Sequence, residues 1–212
     1  MSSSTTRFLQ QENIRLTKEL EALEADKKSL FTHLEMVKEL FWAGQNIASE
    51  ESLLYALNQL LYKVMQVIDA NDGSISYFDK ATNELVFVLV HGELGKQLAG
   101  YRIKGNSGIA GWVVENNQPI IVNDPHQDWR FSETVDKEFS FFTQSIVSVP
   151  IVSKNSFRGV VQLLNKRGNN FDNADVALLL ILGQVAAKVL DEIQRRIDTG
   201  ESNQEDFFLG VE

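Results

Sequence analysis

The segment from Phe157 to Asp175 places the strongest constraint on how this chain folds. An apolar run ends at Asn165 and Lys166, a turn containing Gly168 follows, and Asp175 stands where a new apolar periodicity begins. A Lys that leaves a strand and an Asp that enters the next helix can pair across the short loop between them. The sequence therefore predicts a salt bridge between Lys166 and Asp175 that fixes the last strand against the last helix.

The middle of the chain, about 41–190, has the pattern of one α+β domain. Apolar spacing predicts long helices at 51–68 and from 173 onward, the latter with a capping box of Asp172 and Asp175. Short helices are predicted at 109–115, capped by Asn106 or Ser107, and at 133–139. Extended segments are predicted at 74–78, 85–91, 98–103, 119–122, 145–152 and 157–164.

This order of elements predicts a central antiparallel β-sheet of about six strands. The long N- and C-terminal helices are expected on one face of the sheet, and a helix-and-loop lid, residues 105–142, on the other. A sheet covered by irregular segments is where a small-molecule pocket tends to sit.

A seven-residue apolar repeat runs from Leu9 to Phe41. Its d positions are Leu9, Leu16, Leu23, Leu30 and Val37, and its a positions are Asn13, Leu20, Lys27, Leu34 and Phe41. Four or more such heptads predict a coiled coil, and a homodimer through Leu9–Phe41 and the terminal helices. The orientation stays open, because Asn13 and Lys27 favour a parallel pair whereas Glu19 would then face Glu24 of the partner. The alternative is a long solvated helix lying on the domain.

The two ends of the chain complete a three-part organisation: a helix or coiled coil at 1–40, the domain at 41–190, and an extension of the last helix with a disordered tail at 191–212. The tail has acidic side chains and no basic ones after Asp198. Its apolar triplet Phe207–Leu209 is either a docking motif or an unimportant terminus.

Composition excludes several classes of function. The net charge of −9 argues against a sequence-independent nucleic-acid binder. The absence of cysteine excludes disulfides, thiolate metal sites and a cysteine nucleophile. His33, His91 and His126 are far apart in the sequence, so a metal site and a catalytic set are not expected and the protein is predicted not to be an enzyme. No signal peptide or membrane span is apparent, which predicts a soluble cytoplasmic protein.

Four segments together resemble the motifs of GAF domains, the ligand-sensing modules of cyclic-nucleotide phosphodiesterases and many bacterial regulators. They are Asn165-Lys166…Phe171…Asp175 (with Val176 where the family has Glu), Gly105 to Val113, Asn123-Asp124-Pro125 to Trp129-Arg130-Phe131, and Thr143 to Ile151. The resemblance covers most of 41–190. It implies a sensor fold in which Asn165, Lys166, Phe171 and Asp175 form a structural brace behind the pocket.

The resemblance also implies a cyclic nucleotide as a possible ligand, with its phosphate near the start of the helix at 109–115. The residues expected to contact a ligand are Arg102, Ser107, Gly108, Ile109, Ala110, Trp112, Arg130, Phe131, Phe142, Thr143, Gln144 and Ser145. The glycines of this region have a second interpretation, a tight turn with close helix packing. The aromatic cluster Phe131, Phe139, Phe141 and Phe142 either seats the lid or stacks on a planar ligand.

Two functional hypotheses follow from the sequence. The first is a dimeric regulatory domain that binds a small planar ligand such as a cyclic nucleotide and transmits binding through its terminal helices. The second is a ligand-free dimeric scaffold whose interior is filled by its own side chains and which acts through protein–protein contacts. An internal cavity separates the two, because only the sensor requires one.

Overall fold

A computed structural model describes residues 11–18, 50–154 and 156–199. Residues 11–18 form a helix, α1, which belongs to a separate unit from the remaining described residues. Within α1 the side chain of Leu16, a d position of the heptad repeat, is 51% exposed. The rest of the predicted coiled coil and the predicted tail from residue 200 onward lie outside the described residues.

The larger unit is built from helices and strands in the predicted order. The helices are α2 (Glu50–Ile68), α3 (Gly95–Leu98), α4 (Gly108–Asn116), α5 (Thr134–Phe139) and α6 (Asn173–Asp198). The strands are β1 (Ala70–Asp79), β2 (Glu84–His91), β3 (Arg102–Lys104), β4 (Ile120–Val122), β5 (Ile146–Ser153) and β6 (Ser156–Lys166). They form one antiparallel sheet in the order β3-β2-β1-β6-β5-β4.

The helices α2 and α6 pack on one face of the sheet, here the helix face. Leu163 of β6 points toward this face, since a Cβ added to Gly73 would contact both Leu163 and Met65 of α2. Val147 of β5 pairs with Leu163 and is fully buried. Burial of such branched side chains contributes about 1.5–3 kcal/mol each. The helix face is therefore the main apolar core that holds the terminal helices.

The opposite face of the sheet, the lid face, lies under α4 and the surrounding loops. A cluster of Leu85, Val160, Ala110 and Val113 joins β2 and β6 to α4. A second cluster joins Ile146 of β5 to Ile109 at the start of α4. The predicted α+β architecture, with long helices on one face and a lid on the other, is confirmed.

The predicted strand at 98–103 is wrong in its first half. Residues Gly95–Leu98 form α3, and only Arg102–Lys104 pair with β2. Leu98 is buried against Phe87 and Leu94. This burial stabilises a helical turn that folds back on the sheet. Gly100 then reverses the chain with φ +77°, a conformation that favours glycine. Tertiary burial thus overrides the extended pattern of the sequence.

Gly159 allows β1 and β6 to approach closely next to an irregularity in the β5–β6 pairing. A Cβ atom at this position would lie 1.9 Å from the carbonyl oxygen of Ser76 on β1. Such an overlap involves backbone on both sides, so no side-chain rotation relieves it. By contrast, a Cβ at Gly168 meets no atom within 4 Å, and only its φ of +77° favours glycine.

These two glycines give a matched test of the strand contact. Gly159→Ala should lower the free energy of unfolding by about 3 kcal/mol or more, because the central strands must separate. Gly168→Ala should cost only about 1–2 kcal/mol, the ordinary penalty for a left-handed non-glycine residue. Urea unfolding followed by circular dichroism measures both values, and equal losses would contradict the close approach at Ser76.

A candidate ligand cavity between the sheet and its lid

A cavity of about 470 Å³ lies between the lid face of the sheet and the helices α3, α4 and α5. Its walls are largely apolar and come from both layers: Phe87, Leu94 and Leu98 on one side, Ile109, Phe131 and Phe141 on the other. Pockets for small organic ligands in proteins commonly have volumes of about 300–1,000 Å³ and mainly apolar walls. The cavity therefore has the size and lining of a small-molecule site.

The N-terminal turn of α4 forms one end of the cavity. Ser107, Gly108, Ile109 and Ala110 all line it. Ser107 is the N-cap, but contrary to the sequence prediction neither it nor Asn106 caps the helix through its side chain. The first backbone N–H groups of a helix have no intrahelical acceptor, so this turn offers donors to an anionic group.

The glycines around this turn have a structural role of their own. Gly108 has φ +65°, and a Cβ at Gly111 would lie 2.3 Å from the backbone carbon of Asn106. Both residues are therefore needed to fold the turn, whatever it binds. The tight-turn interpretation of these glycines is correct, and it is compatible with an open N-terminal turn facing the cavity.

A polar row crosses the floor of the otherwise apolar cavity. Ser74 on β1 pairs with Gln162 on β6, which in turn pairs with Ser148 on β5. Ser74 and Gln162 line the cavity, and among the described residues the side-chain amide of Gln162 has no hydrogen-bond partner. Ser148 is fully buried, and its Oγ also has no partner in the described part of the chain. A polar group without a partner is costly when it is shielded from water, and a polar ligand in the cavity would bond to the Gln162 amide.

Asp72 places a carboxyl group in the cavity wall beside this row. Its Oδ1 accepts a hydrogen bond from the backbone N–H of Glu93 at 2.9 Å, and its Oδ2 accepts one from Asn165 Nδ2 at 3.1 Å. Burial raises the pKa of Asp72 above its usual value, although these two hydrogen bonds oppose the shift. The carboxyl group is thus held in place but is poorly solvated.

The lid is attached to the sheet through a second buried carboxylate. Asp136 of α5 accepts hydrogen bonds from the backbone N–H of Thr143 at 2.9 Å and from its hydroxyl at 2.7 Å. Asp136 and Thr143 are both buried, and Thr143 lies three residues before β5 begins at Ile146. Thr143 and Asp136 both border the cavity, so their hydrogen bonds close its wall where the lid returns to the sheet.

The structure brings seven of the predicted ligand-contacting residues to the cavity. They are Arg102, Ser107, Gly108, Ile109, Ala110, Phe131 and Thr143. The guanidinium group of Arg102, however, is bound to two carboxylates, Asp79 at 3.1 Å and Glu84 at 2.9 Å. The charge of Arg102 is therefore largely compensated within the hairpin. At the cavity Arg102 forms part of the wall and does not offer a free cation.

The other five predicted ligand residues do not line the cavity, namely Trp112, Arg130, Phe142, Gln144 and Ser145. Arg130 forms a bidentate pair with Asp128 and lies 5.2 Å from the centre of the Trp112 ring. The hydroxyl of Ser145 accepts the N–H of Lys166 at 3.2 Å. These groups are used to build the lid and its junction with the sheet.

The predicted single aromatic cluster is also wrong. Phe131 packs with Ile109 and Ile146, whereas Phe139 and Phe141 pack with the α3 cluster around Leu94. Phe142 is 63% exposed and stacks on His126 with ring centres 4.7 Å apart. The four residues thus fall into three environments: the Ile109 cluster, the α3 cluster and the surface.

The brace predicted by the sequence is present in the structure. Lys166 Nζ lies 2.6 Å from Asp175 Oδ2, and the two side chains are only 8% and 9% exposed. The capping box is present as well, with the N–H of Asp172 donating to Asp175 and that of Asp175 donating to Asp172. Phe171 is buried beside this pair, 5.8 Å from Lys166 Nζ to the ring centre.

Asn165 connects the brace to the cavity. It has a positive φ of 59°, and its side-chain oxygen accepts the N–H of Gln144 at 2.7 Å. Its side-chain nitrogen donates to Asp72 and to the carbonyl oxygen of Phe142 at 3.3 Å. One buried amide thus links the cavity wall, the end of the lid and the turn that leads to α6.

Sequence reasoning missed the polar floor, Asp72, Ser74 and Gln162, together with Tyr101 and His91 in the wall. The sequence signal for the polar floor was weak. It consisted of three polar residues in predicted strands, and a solvent-exposed face of the sheet would explain them equally well. In the structure His91 Nε2 lies 3.2 Å from the carbonyl oxygen of Asn58, and Tyr101 OH donates to Glu138 at 2.5 Å.

Two further searches of the described residues gave negative results. They contain no group of three or more His, Asp or Glu side chains arranged to hold a metal ion. None of their helices combines the length and apolar character needed to cross a membrane.

Comparison with known proteins decides the family. The sequence profile of the GAF domain matches residues 51–191, which is most of the chain. The chain belongs to the GAF domain family. This family is commonly regulatory, and phosphodiesterases are among the relatives of this GAF domain.

Two of these relatives are cyclic-nucleotide phosphodiesterases. The chain is 28% identical over 137 residues to a probable 3′,5′-cyclic phosphodiesterase, pde-5, of Caenorhabditis elegans, which covers 61% of this chain and 18% of that protein. It is 34% identical over 76 residues to the dual 3′,5′-cyclic-AMP and -GMP phosphodiesterase 11 of Drosophila melanogaster, covering 35% and 5%. This GAF chain thus spans less than a fifth of the length of either relative.

Several solved structures have the same fold. The GAF domain of a phosphoenolpyruvate-protein phosphotransferase from Coxiella burnetii has a TM-score of 0.68 at 18% identity, covering 81% of this chain and 98% of that one. The free methionine-R-sulfoxide reductase of Neisseria meningitidis, solved with its substrate, has a TM-score of 0.63 at 17% identity, covering 79% and 93%. At these identities the likeness concerns the fold alone.

The brace should stabilise this GAF domain strongly because both charges are buried. Lys166→Met should lower the free energy of unfolding by about 3–5 kcal/mol, since Asp175 is left as a buried charge without its cation. The double variant Lys166→Met with Asp175→Asn should recover part of this loss. Lys188→Met, at an exposed position of α6, is the control for urea unfolding; a loss at Lys166 no larger than at Lys188 would contradict the brace.

Asp72 should give the domain a distinct pH dependence. Because burial raises its folded pKa above the usual 3.8, its contribution to stability is present at acid pH and lost as the pH rises through the folded pKa. The free energy of unfolding of the wild type minus that of Asp72→Asn should therefore decrease as the pH is raised above about 4 toward neutrality.

Asp128 is the opposite case and serves as the control. Hydrogen bonds from Arg130 lower the pKa of Asp128, so its contribution is present at neutral pH and lost as the pH falls. The stability of the wild type minus that of Asp128→Asn should rise with pH below about pH 4 and stay level over the interval in which the Asp72 difference falls. Guanidinium unfolding at several pH values measures both differences, and slopes of the same sign would contradict the burial of Asp72.

Proposed function

We propose that this GAF domain is a cytoplasmic regulatory module that binds a small planar molecule, such as a cyclic nucleotide, in the cavity under its lid. The observation that carries the proposal is the cavity of about 470 Å³ with a polar floor whose Gln162 amide has no protein partner among the described residues. A scaffold filled by its own side chains would have no need of this space. The cavity therefore favours the sensor over the scaffold.

The chemistry of the walls suits a planar ligand with a polar edge and an anionic group. Phe87 and Phe131 supply aromatic surface, and Ser74 and Gln162 supply donors and acceptors on the floor. The N-terminal turn of α4 supplies backbone N–H groups, and Lys104 lines the cavity nearby. The cyclic-nucleotide phosphodiesterases among the relatives support the same class of ligand.

Binding can reach the terminal helices through Asn165. A ligand that contacts Asp72 or moves the lid changes the partners of the Asn165 side chain. The next residue, Lys166, holds the first turn of α6 through Asp175. A ligand with different affinities for two lid positions would shift their populations and so reposition α6, which needs a difference of only about 1–3 kcal/mol.

Dimerisation is part of the proposal. The heptad repeat from Leu9 to Phe41 and the exposed Leu16 of α1 support a coiled coil in which a second copy covers the apolar seam. The terminal helices α2 and α6 would then carry the signal between the cavity and this seam. The protein partner that receives the signal is a separate molecule whose chemistry the domain does not specify.

The proposed role is regulatory and not catalytic. The chain has no cysteine, so thiol chemistry is excluded for it. His91 lines the cavity, and its Nε2 lies within hydrogen-bonding distance of the carbonyl oxygen of Asn58. Within the described residues, His91 forms no hydrogen bond with a side-chain hydroxyl group that could act as a nucleophile. A nucleophile with its base is the minimum that hydrolytic catalysis of this kind requires.

Isothermal titration calorimetry with cyclic AMP and cyclic GMP tests the proposal. At least one nucleotide should bind, and Gln162→Leu should weaken it about tenfold because one buried hydrogen-bonding group is lost. Gln144→Leu makes the same change at an exposed position outside the cavity and should leave the affinity unchanged. The proposal fails if neither nucleotide binds and native mass spectrometry of the purified protein shows no retained small molecule.

A further inference from the structure

The sheet splits at the end of its two central strands, away from the ligand cavity. β1 and β6 pair from Ala70–Lys166 as far as Tyr77–Gly159. Beyond this point β1 continues only with β2, to Asp79–Glu84, and β6 only with β5, to Ser153–Ser156. The two hairpins diverge and leave a cleft of about 310 Å³ between them, here the hairpin cleft.

Three aromatic side chains form the main apolar part of the wall of the hairpin cleft. Tyr77, Phe78 and Phe157 line it, and the rings of Phe78 and Phe157 meet edge to face with centres 5.5 Å apart. The hydroxyl of Tyr77 donates to the side-chain oxygen of Gln194 on α6 at 3.1 Å. Aromatic walls of this kind favour an aromatic or aliphatic side chain as the occupant.

The charges at the rim favour an acidic neighbour for that side chain. Arg158 is 2.8 Å from Asp191, and Asp79 is paired with Arg102, so these charges are compensated. Lys80 also lines the cleft, is exposed, and forms no ion pair with any described residue. The hairpin cleft therefore presents apolar surface beside one uncompensated cation.

We propose that the hairpin cleft binds the chain's own segment Glu205-Asp206-Phe207-Phe208-Leu209. This segment places two carboxylates directly before two aromatic side chains and a leucine. The aromatic side chains lie beside Phe78 and Phe157, and the carboxylates lie near Lys80. The apolar triplet, which is otherwise unexplained in an acidic stretch, thereby has a binding site on the same molecule.

The length of chain between the cleft and the segment permits this contact. Gln194 lines the cleft, and α6 continues only four residues further to Asp198, about 6 Å along the helix axis. Eight residues then lead from Thr199 to Phe207, which can span up to about 26 Å. A short tether also keeps the segment at a high effective concentration of about millimolar, so a weak contact is populated.

The contact ties the end of α6 to the β1–β2 hairpin. The contact does not use the ligand cavity, because the hairpin cleft and the cavity share no lining residue, although Phe78 and Phe157 also pack against the cluster that contains Ala110 and Val113 of α4. Its effect would be to hold the last turns of α6 against the sheet while the segment is bound. Release of the segment would free that end of the helix.

Disulfide trapping tests the proposal in the full chain, which has no cysteine of its own. Ala81→Cys is placed at the rim of the cleft and Gly210→Cys in the segment. Under mild oxidation this pair should form an intramolecular disulfide about tenfold faster than the control pair Gln97→Cys and Gly210→Cys, because the docked segment lies beside Ala81. Gln97 is exposed on α3, at the opposite end of β2.

Changes in the segment and at the cation identify the contact. Phe207→Ser with Phe208→Ser should reduce the Ala81 rate to the control rate, and Lys80→Glu should slow it, whereas Lys188→Glu on α6 should not. Circular dichroism and urea midpoints verify that each variant is folded. Equal rates for the two cysteine pairs, a rate unaffected by the double serine change, or disulfides formed only between two chains would overturn the proposal.

Discussion

The end of β6 is the constraint on which the rest of this GAF domain depends. Two consecutive residues, Asn165 and Lys166, turn their side chains to different layers. Asn165, which has a positive φ, donates a hydrogen bond to Asp72 in the cavity wall and accepts one from the backbone N–H of Gln144 at the end of the lid. Lys166 satisfies the buried carboxylate of Asp175 at the start of α6. Because Asp72 and Asp175 are buried, loss of either side chain leaves a carboxyl group without a partner in a place that water reaches poorly.

This arrangement explains how a cavity can exist in a domain of this size without weakening it. The apolar core that holds the terminal helices lies entirely on the helix face, around residues such as Val147 and Leu163. The lid face is held at its margins instead, through the Ile109–Ile146 cluster and the hydrogen bonds from Thr143 to Asp136. The apolar core of the helix face therefore does not depend on side chains that fill the space between these margins.

The sequence was informative wherever a feature depends on neighbours in the chain. The capping box of Asp172 and Asp175 and the pairing of Asp175 with Lys166 join residues that are close in the chain, and each is found as expected. The cavity depends on which turn of the lid faces the sheet, and local patterns do not specify this. Hence Phe142 was expected at a ligand and lies at the surface, while Gln162 was taken for an ordinary strand residue and lies on the cavity floor.

The two outermost strands, β3 and β4, each contain only three residues. A sheet edge exposes unpaired peptide groups that can recruit a strand from another molecule, and the hazard grows with the length of the edge. Here the long strands are all interior, so a foreign strand finds few positions at which to add. The domain can therefore keep a broad, largely apolar sheet and still resist edge-to-edge aggregation when it is crowded against its own copies.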